Sequence, residues 1–504
     1  MPFFHEILVL MVWKGWLTLE EMPVRVLLFK SKACAFCDPV ERMVRKVISR
    51  VFGGDLVTIN VFDVDEHREL ADMYNVTSLP YVMVEDTPVI TGMATEKEVE
   101  EALMKGMLYT SPSRAERLET RAKQVFIEAN INFIKSINSK ERIRHSIGDY
   151  VHISNLQLST VSLLSLDKAA GGLLYTIGKL AGKTGAFSGI LYDLAPKLHS
   201  PNISREEAFR NVLIAFDRFH IKQNEMGVYD ARNAEVVEEG DGYGRIRIYE
   251  CATATGMPIV GEPVCYFTAG MLSGLAEAIL GETVHVAEKA CWGLGDSYCE
   301  FEITLEGEET EKEGYASEPL VEEPAEKMRR ISFNRLMKTL MRNMTQSILE
   351  GRRIRVGITD YTHIMNLQQQ ITSIKLADPV AGFLLKLAGK RLGELMPGGE
   401  NLSFREAVAE VKSHLNSPIA LLSGIHSHCK IKDVGDGNAL ITIHGCATAS
   451  GQEDVKVSLC EFEAGIIEGF VEKSTGEPVV CREVECWGLG QDHCTFKIER
   501  EEFS

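Results

Sequence analysis

The segment EKACWGLGDSYCEFEI at residues 288–303 returns as EVECWGLGQDHCTFKI at residues 483–498. Equivalent residues of the two segments are 195 positions apart, and the same spacing relates ECATATG at 250–256 to GCATASG at 445–451. A constant spacing over several separate motifs is the sign of an internal repeat. The second half of this chain therefore contains the same domain twice, and these segments decide its fold.

The repeat extends upstream of the cysteine-rich segments. DYVHISNLQ at 149–157 matches DYTHIMNLQ at 360–368, with a spacing of 211 residues. We therefore predict the two copies at 126–305 and 327–504. Between them, residues 306–326 contain nine Glu and one Lys, a composition typical of a disordered, acidic linker.

Residues 23–106 form a different block, joined to the repeats by a linker at 107–125. Periodicity predicts strands and helices in alternation, an α/β pattern. The strands are expected at 24–29, 56–64, Tyr81–Val84 and Val89–Ile90, and the helices at Pro39–Arg50, Glu66–Tyr74 and Glu96–Lys105. Each repeat instead begins with helical pattern and ends with strand pattern, as at 245–254 and 299–305, which predicts an α+β fold.

Composition excludes several classes of function. The 504 residues carry a net charge of −18, which argues against a nucleic-acid surface and against binding to anionic membranes. The apolar run Ile7–Trp13 is too short to span a bilayer, so we interpret residues 1–22 as an uncertain N-terminal extension. Twelve cysteines are too sparse for a disulfide scaffold. We expect a cytoplasmic protein whose cysteine clusters serve metal or redox chemistry.

Cys34 and Cys37 form a Cys-x-x-Cys motif between a predicted strand and a predicted helix. A helix N-terminus stabilises a thiolate, so Cys34 is the expected attacking thiol and Cys37 the resolving one. The alternative is half of a zinc site. With Pro80 before the next strand, this block resembles the thioredoxin/glutaredoxin superfamily, which implies a cis proline at Pro80 beside the motif.

The repeats contain a second constellation of cysteine and glutamate. Cys265, Glu288, Cys291 and Cys299 are separated by 23, 3 and 8 residues, and Cys460, Glu483, Cys486 and Cys494 repeat this spacing. Thiolates and carboxylates suit Zn²⁺. A separation of three in a regular strand would place Glu288 and Cys291 on opposite faces, so the site needs a bulge or a turn there.

At these residues each repeat resembles the 4-vinyl reductase-like domain, whose fold is similar to that of nitric-oxide sensors and of vesicle-tethering transport-particle subunits. The resemblance implies one zinc per copy, beside a buried pocket for an apolar ligand. Cys251 and Cys446 add a fourth thiol to each copy, as further ligands or redox thiols. An iron–sulfur cluster or metal-free redox thiols therefore stay open as alternatives to zinc.

Several other residues have two interpretations. His152 and His363 could line the ligand pocket, or they could be structural. Cys429 and Cys481 occur only in the second copy, where buried small side chains are expected. His426 and His428 beside Cys429 look like metal ligands, although the first copy has Ala231 and Asn233 there.

Together these features predict a redox-linked protein. Its thioredoxin-like module would exchange disulfides with a protein or a low-molecular-weight thiol, and its paired repeats, within the chain or in a homodimer, would bind zinc and a small apolar ligand. The alternative is a non-catalytic sensor or carrier for an aromatic, hydrocarbon or tetrapyrrole molecule, or an iron–sulfur protein. Thiol–disulfide oxidoreductase activity is the one enzymatic activity that the sequence suggests.

Overall fold

The structure, a computed structural model, divides into two compact units, Met1–Met107 and Leu108–Ser504, which are described separately. The described residues are 24–49, 57–85, 87–108, 144, 146, 150–166, 169–187, 234–240, 243–249, 251–305, 339–342, 344–346, 348–349, 361–377, 379–452 and 454–500. The predicted N-terminal extension, the acidic linker and most of the helical starts of both repeats lie outside them.

The first unit is a four-stranded mixed sheet with helices. Its strands occur in the order β2-β1-β3-β4, with β1 parallel to β2 and antiparallel to β3. The elements are β1 Val24–Lys30, α1 Cys37–Val47, β2 Val57–Asp63, α2 Arg68–Met73, β3 Tyr81–Val84, β4 Thr87–Thr91 and α3 Glu96–Leu108. Each predicted element is present, with bounds that differ by a few residues.

Burial of the central strands explains this sheet. In β1, Val26, Leu28 and Phe29 are fully buried, as expected of a parallel strand covered on both faces. All four residues of β3 are buried. The helix α1 turns Val40 and Val44 toward the sheet, so its N-terminus lies directly after the end of β1.

The second unit contains both repeats. In each, four antiparallel strands follow one topology, β6-β7-β9-β8 in the first copy and β11-β12-β14-β13 in the second. The first copy consists of β5 Tyr150–His152, α4 Ile153–Leu164, α5 Ala169–Phe187, β6 Ala234–Gly240, β7 Tyr243–Ile248, α6 Tyr266–Leu280, β8 Val284–Ala290 and β9 Cys299–Leu305.

The second copy repeats this order, with two more helices in the described part. Its elements are β10 Tyr361–His363, α7 Ile364–Ala377, α8 Pro379–Leu395, α9 Phe404–Leu415, α10 Pro418–Leu422, β11 His428–Val434, β12 Asn438–His444, α11 Glu461–Thr475, β13 Val479–Glu485 and β14 Cys494–Arg500. The strand predicted at 299–305 is confirmed. The strand predicted at 245–254 ends at Ile248, because the backbone turns after Cys251, where Thr255 N–H donates to the Cys251 carbonyl.

Glycines bring the helices α5 and α6 into close contact. A Cβ atom at Gly270 would lie 2.0 Å from the carbonyl oxygen of Tyr175, and one at Gly274 would lie 1.8 Å from that of Lys179. Gly465 has the same relation to Lys386 in the second copy, at 1.9 Å. The helix that begins beside the cysteine cluster is thereby fixed against its neighbour.

The two copies pair with each other. β5 and β10 form a short antiparallel ladder, with Tyr361 opposite His152 and His363 opposite Tyr150. Since His152 and His363 are equivalent residues of the repeat, the pairing is isologous, as in a twofold dimer. Across the same contact Gln370 donates a 2.7 Å hydrogen bond to Thr160. Among the described residues, no helix has the length and apolar character needed to cross a membrane.

Candidate metal centres

Three elements bring the four candidate ligands of the first copy together. Cys265 immediately precedes α6, Glu288 lies in β8, Cys291 follows the end of that strand and Cys299 begins β9. Their ligand atoms lie within 4.8 Å of one another. In the second copy, the ligand atoms of Cys460, Glu483, Cys486 and Cys494 form an equivalent group.

A β-bulge places glutamate and cysteine on the same side. The register between β8 and β9 shifts between Glu288 and Ala290, and that between β13 and β14 shifts between Glu483 and Glu485. One extra residue on the bulged strand reverses the alternation of side chains. The predicted bulge is confirmed in both copies, and it brings residues three apart in sequence to one site.

The tight turn after Cys291 returns the chain to Cys299. Residues Trp292–Leu294 form one 3₁₀ turn, and Gly295 follows at a φ of 107°, a conformation that favours glycine. The Asp296 carboxylate accepts a 2.9 Å hydrogen bond from Cys291 N–H. In the second copy Gln491 takes the place of this aspartate. Different residues therefore hold the same turn in the two copies.

Each glutamate uses one oxygen to hold the backbone at the start of a helix. Glu288 Oε2 accepts a 3.1 Å bond from Cys265 N–H, and Glu483 Oε2 accepts from Cys460 N–H at 2.9 Å. The other oxygens, Oε1 of both residues, are buried without a hydrogen-bond partner among the described residues. A buried, unpartnered carboxylate oxygen is costly unless a cation binds it.

The thiols lie at distances that fit one shared cation. The sulfur atoms of Cys265 and Cys299 are 3.6 Å apart, those of Cys460 and Cys494 are 3.5 Å apart, and Cys486 lies 4.0 Å from Cys494. Two sulfurs bound to one Zn²⁺ at about 2.3 Å in tetrahedral geometry would be about 3.8 Å apart. The donor set therefore fits a single metal ion in each copy.

Burial and neighbouring thiols shift the pKa values of the metal-free cluster. Burial raises the pKa of the Glu288 and Glu483 carboxyls well above the ordinary value. Hydrogen bonds from other thiols, first from Cys265, lower the pKa of Cys291 to about 3, and those from Cys460 lower that of Cys486 to about 3. Without a cation the cluster stores its negative charge on few atoms, a state that metal binding relieves.

Cys251 and Cys446 border the four-ligand groups without being part of them. Cys251 Sγ lies 3.6 Å from Cys265 Sγ, and Cys446 Sγ lies 3.5 Å from Cys460 Sγ. Each is buried, so the fourth thiol of each copy contacts one candidate ligand from behind. In the second copy, the fully buried Glu463 also contacts Cys446, with 4.0 Å between Sγ and Oε1.

The glutamine of the repeated NLQ motif holds the turn that carries this fourth thiol. Gln157 Nε2 donates to the carbonyl oxygens of Ala252 and Thr255, at 3.3 and 3.0 Å. Gln368 donates to the equivalent carbonyls of the second copy. The sequence analysis missed this role, although the signal was present, since the glutamine recurs with each CAT segment.

The Cys-x-x-Cys motif forms a disulfide in the first unit. Cys34 and Cys37 are joined, with their Cα atoms 5.5 Å apart. Cys37 is fully buried at the first residue of α1, whereas Cys34 is part-exposed. The peptide bond between Leu79 and Pro80 is cis, and Pro80 leads directly into β3.

The remaining candidates lie apart from the cysteine clusters. His152 is buried, and its Nδ1 accepts from Ser154 N–H at the start of α4. The backbone of His363 pairs with Tyr150, and its side chain lies outside the described residues. Cys429 and Cys481 are buried, as expected. His426 is buried as well, and its Nε2 lies 2.6 Å from the Leu415 carbonyl oxygen, a structural role.

Family models match three parts of the chain. The model described as "Thioredoxin domain" matches residues 22–104, and the model of the 4-vinyl reductase domain matches residues 245–305 and 440–500. This chain contains one thioredoxin domain and two 4-vinyl reductase domains. Both candidate metal groups lie in the 4-vinyl reductase domains, and the disulfide lies in the thioredoxin domain.

Two curated relatives come from Methanocaldococcus jannaschii. Uncharacterized protein MJ1642 is 35% identical over 102 residues, which are 20% of this chain and 62% of that protein. Uncharacterized protein MJ0150 is 26% identical over 161 residues, 32% of this chain and 80% of that protein. The chain thus spans less than two thirds of the length of the first of these relatives.

Two solved structures show partial similarity. A vinyl-4-reductase family protein from Methanocaldococcus jannaschii is 20% identical, with 23% of this chain and 68% of that chain covered and a TM-score of 0.19. The phenol-responsive sensory domain of the transcription activator PoxR is 18% identical, with 31% and 75% covered and a TM-score of 0.23.

Proposed function

We propose that this chain is a redox-linked protein with two kinds of module. The thioredoxin domain carries out thiol–disulfide exchange with a protein or a low-molecular-weight thiol. Each 4-vinyl reductase domain holds one zinc ion and binds a small apolar ligand. The observation that carries the redox part is the Cys34–Cys37 disulfide at the start of α1, with Cys34 part-exposed and Cys37 buried.

The asymmetry of this pair supports a division of roles. In the reduced form, the Cys34 thiolate attacks one sulfur of a substrate disulfide and releases the other as a thiolate. The Cys37 thiolate then attacks Cys34, re-forms the Cys34–Cys37 bond and releases the second substrate thiolate. Two electrons pass from the dithiol to the substrate. The N-terminus of α1 favours the thiolate form of cysteines placed there.

A trapping experiment tests this part. In Cys37→Ser the second attack is impossible, so we expect the full chain to retain a mixed disulfide with its substrate, which mass spectrometry of non-reduced complexes identifies. Cys34→Ser is the matched control, since its remaining thiol is buried. Equal trapping by both variants, or no mixed disulfide with Cys37→Ser, would remove the exchange role.

Zinc is the metal that the cysteine and glutamate groups support best. Three thiolates and one carboxylate satisfy four-coordinate Zn²⁺, and all four ligand atoms of a group lie within 4.8 Å of one another. In a four-iron cluster each thiolate would bind its own iron, so the sulfurs would need to spread apart. Bound zinc would supply cross-linking between α6, β8 and β9, and between their counterparts. The four protein residues would bind and orient it.

The burial of the cluster favours binding over redox chemistry in the 4-vinyl reductase domains. Every cysteine near the two sites is buried, from Cys251 to Cys494, so an exchange partner does not reach these sulfurs in this state. Ten cysteines stand as free thiols, which supports a reducing compartment such as the cytoplasm.

The small apolar ligand is supported by the assignment of both repeats to the 4-vinyl reductase family. Organic extraction of purified full-length protein, followed by mass spectrometry of the extract, tests this part. We expect an apolar compound that is enriched over extracts of an unrelated control protein. Extracts identical to those of the control would exclude a retained ligand.

A further inference from the structure

Three histidines lie in contact across one end of the sheet in the second 4-vinyl reductase domain. The rings of His428 and His444 stack with their centroids 4.4 Å apart, and the rings of His444 and His493 are 5.6 Å apart. All three side chains are partly exposed. We define these residues as the histidine row.

Sheet topology produces the row from distant parts of the sequence. His428 begins β11 and is directly opposite His444, the last residue of β12. His493 immediately precedes β14, whose first residue pairs with Ile443. Since β11, β12 and β14 are consecutive neighbours in the sheet, the three histidines occupy one line across three strands. Side chains in directly opposite positions are close enough to share a ligand.

Hydrogen bonds orient the two outer rings. Ser427 Oγ lies 3.1 Å from His428 Nδ1, and Glu485 Oε2 lies 3.1 Å from His493 Nε2. Metal-binding histidines characteristically have one ring nitrogen held in this way, by a carboxylate or another polar group. Asp492 Oδ1 contacts the other nitrogen of His493 at 2.7 Å, and its side chain is 88% exposed, so it can move aside or join the site.

The first copy lacks all these residues at the same positions. Tyr249 and Tyr298 replace His444 and His493, with their rings 6.0 Å apart, and Ala290 replaces Glu485. Asn233, outside the described residues, replaces His428. The aromatic contact is therefore common to both copies, whereas the imidazole donors are specific to the second.

We propose that the histidine row is a surface binding site for a divalent transition-metal ion, separate from the buried cysteine groups. Imidazole nitrogen is a preferred ligand of Zn²⁺, Ni²⁺ and Cu²⁺. Closing the site requires rotation of the stacked rings about their side-chain bonds, which their partial exposure permits. The cysteine groups lie among buried residues, so the two kinds of site differ in accessibility and in donor atoms.

Calorimetric titration of zinc-loaded full-length protein with Ni²⁺ tests this site. The wild type should bind one Ni²⁺ per chain without zinc release and without thiolate-to-nickel charge-transfer absorption. The double variant His444→Tyr/His493→Tyr, which introduces the residues of the first copy, should weaken binding by about tenfold or more. His285→Tyr, at an exposed histidine of β8, is the matched control and should bind as the wild type does.

A converse variant keeps the proposal falsifiable if the first one misfolds. The triple change Asn233→His/Tyr249→His/Tyr298→His should add a second Ni²⁺ per chain. Three results would overturn the histidine row: no Ni²⁺ binding by the wild type, equal binding by a folded His444→Tyr/His493→Tyr variant, or Ni²⁺ uptake that releases zinc and produces thiolate charge-transfer bands.

Discussion

The Glu483 carboxylate accepts a 2.9 Å hydrogen bond from the backbone N–H of Cys460 through Oε2. Its Oε1 lies buried within the group of candidate ligand atoms. One side chain thus fixes the start of α11 and offers an oxygen to the metal. Glu288 has the same relation to Cys265, although these elements belong to different copies of the repeat.

The first prediction concerns this glutamate. Glu483→Gln keeps the size of the side chain but removes the charge, so one oxygen can no longer serve both the N–H group and the metal. We expect this variant to lose the zinc of the second copy under a chelator concentration that leaves the first site loaded. Its affinity should fall by about a hundredfold or more, beyond the effect of most outer-shell changes. Glu461→Gln, at a residue that lies outside the group, is the control; equal zinc retention by both variants would contradict the assignment.

The second prediction concerns the glutamine that holds the turn after Cys446. Gln368→Leu leaves the carbonyl oxygens of Ala447 and Ser450 without their donor, which should cost about 2 kcal/mol or more in local stability. Hydrogen exchange of residues 446–452 in the full chain measures the loss. Gln452→Leu removes only the 2.9 Å bond to Gln368 Oε1, so its effect should be smaller. Equal exchange in the two variants would show that the turn does not depend on Gln368.

The third prediction tests the close approach of α5 and α6. In Gly270→Ala the new methyl group would overlap the Tyr175 carbonyl, so the helices must separate, at a cost of about 1–3 kcal/mol. The apparent melting temperature should fall by about 4 °C or more. Gly172→Ala, on the open side of α5 with nothing within 4 Å, should be neutral or stabilising. A fall of equal size in both variants would contradict the packing argument.

The fourth prediction is a pH dependence centred on Glu277. Burial raises the pKa of this carboxyl, but ion pairs with Lys179 at 2.5 Å and Lys183 at 2.9 Å outweigh it, so the net pKa is lowered. A lowered folded-state pKa gives stability that is present above the unfolded value of about 4.3 and lost as pH falls through the folded value.

Glu277→Gln should therefore melt at a lower temperature than the wild type at pH 7, and this difference should shrink when the pH falls below about 4. Glu400→Gln, at an exposed residue, is the control at both pH values. A difference that stays constant between neutral and acid pH would indicate that packing, and not the ion pairs, accounts for the effect of Glu277.

The sequence predicts local features well where a single physical rule decides them. Alternating burial identifies the strand at 299–305, and the separation of Glu288 and Cys291 requires the bulge that the structure contains. The repeated spacing identifies both four-residue groups, since ligand types and intervals occur twice.

Other features depend on contacts between distant residues. The strand beginning near Tyr243 ends at Ile248 because Cys251 turns toward the cluster, which periodicity does not reveal. The pairing of Gln157 with Ala252 spans 95 residues, and the alignment of His428 with His444 and His493 depends on the order of strands in the sheet. His428 looks like a partner of Cys429 in the sequence, but it contacts His444 in the structure.

Metal analysis of anaerobically purified full-length protein tests the central claim most directly. The account predicts two zinc ions per chain, a colourless protein, and the loss of one zinc from each of Cys291→Ser and Cys486→Ser. A protein that contains iron and acid-labile sulfide, or one that contains no metal while all its cluster thiols react after unfolding, would contradict it.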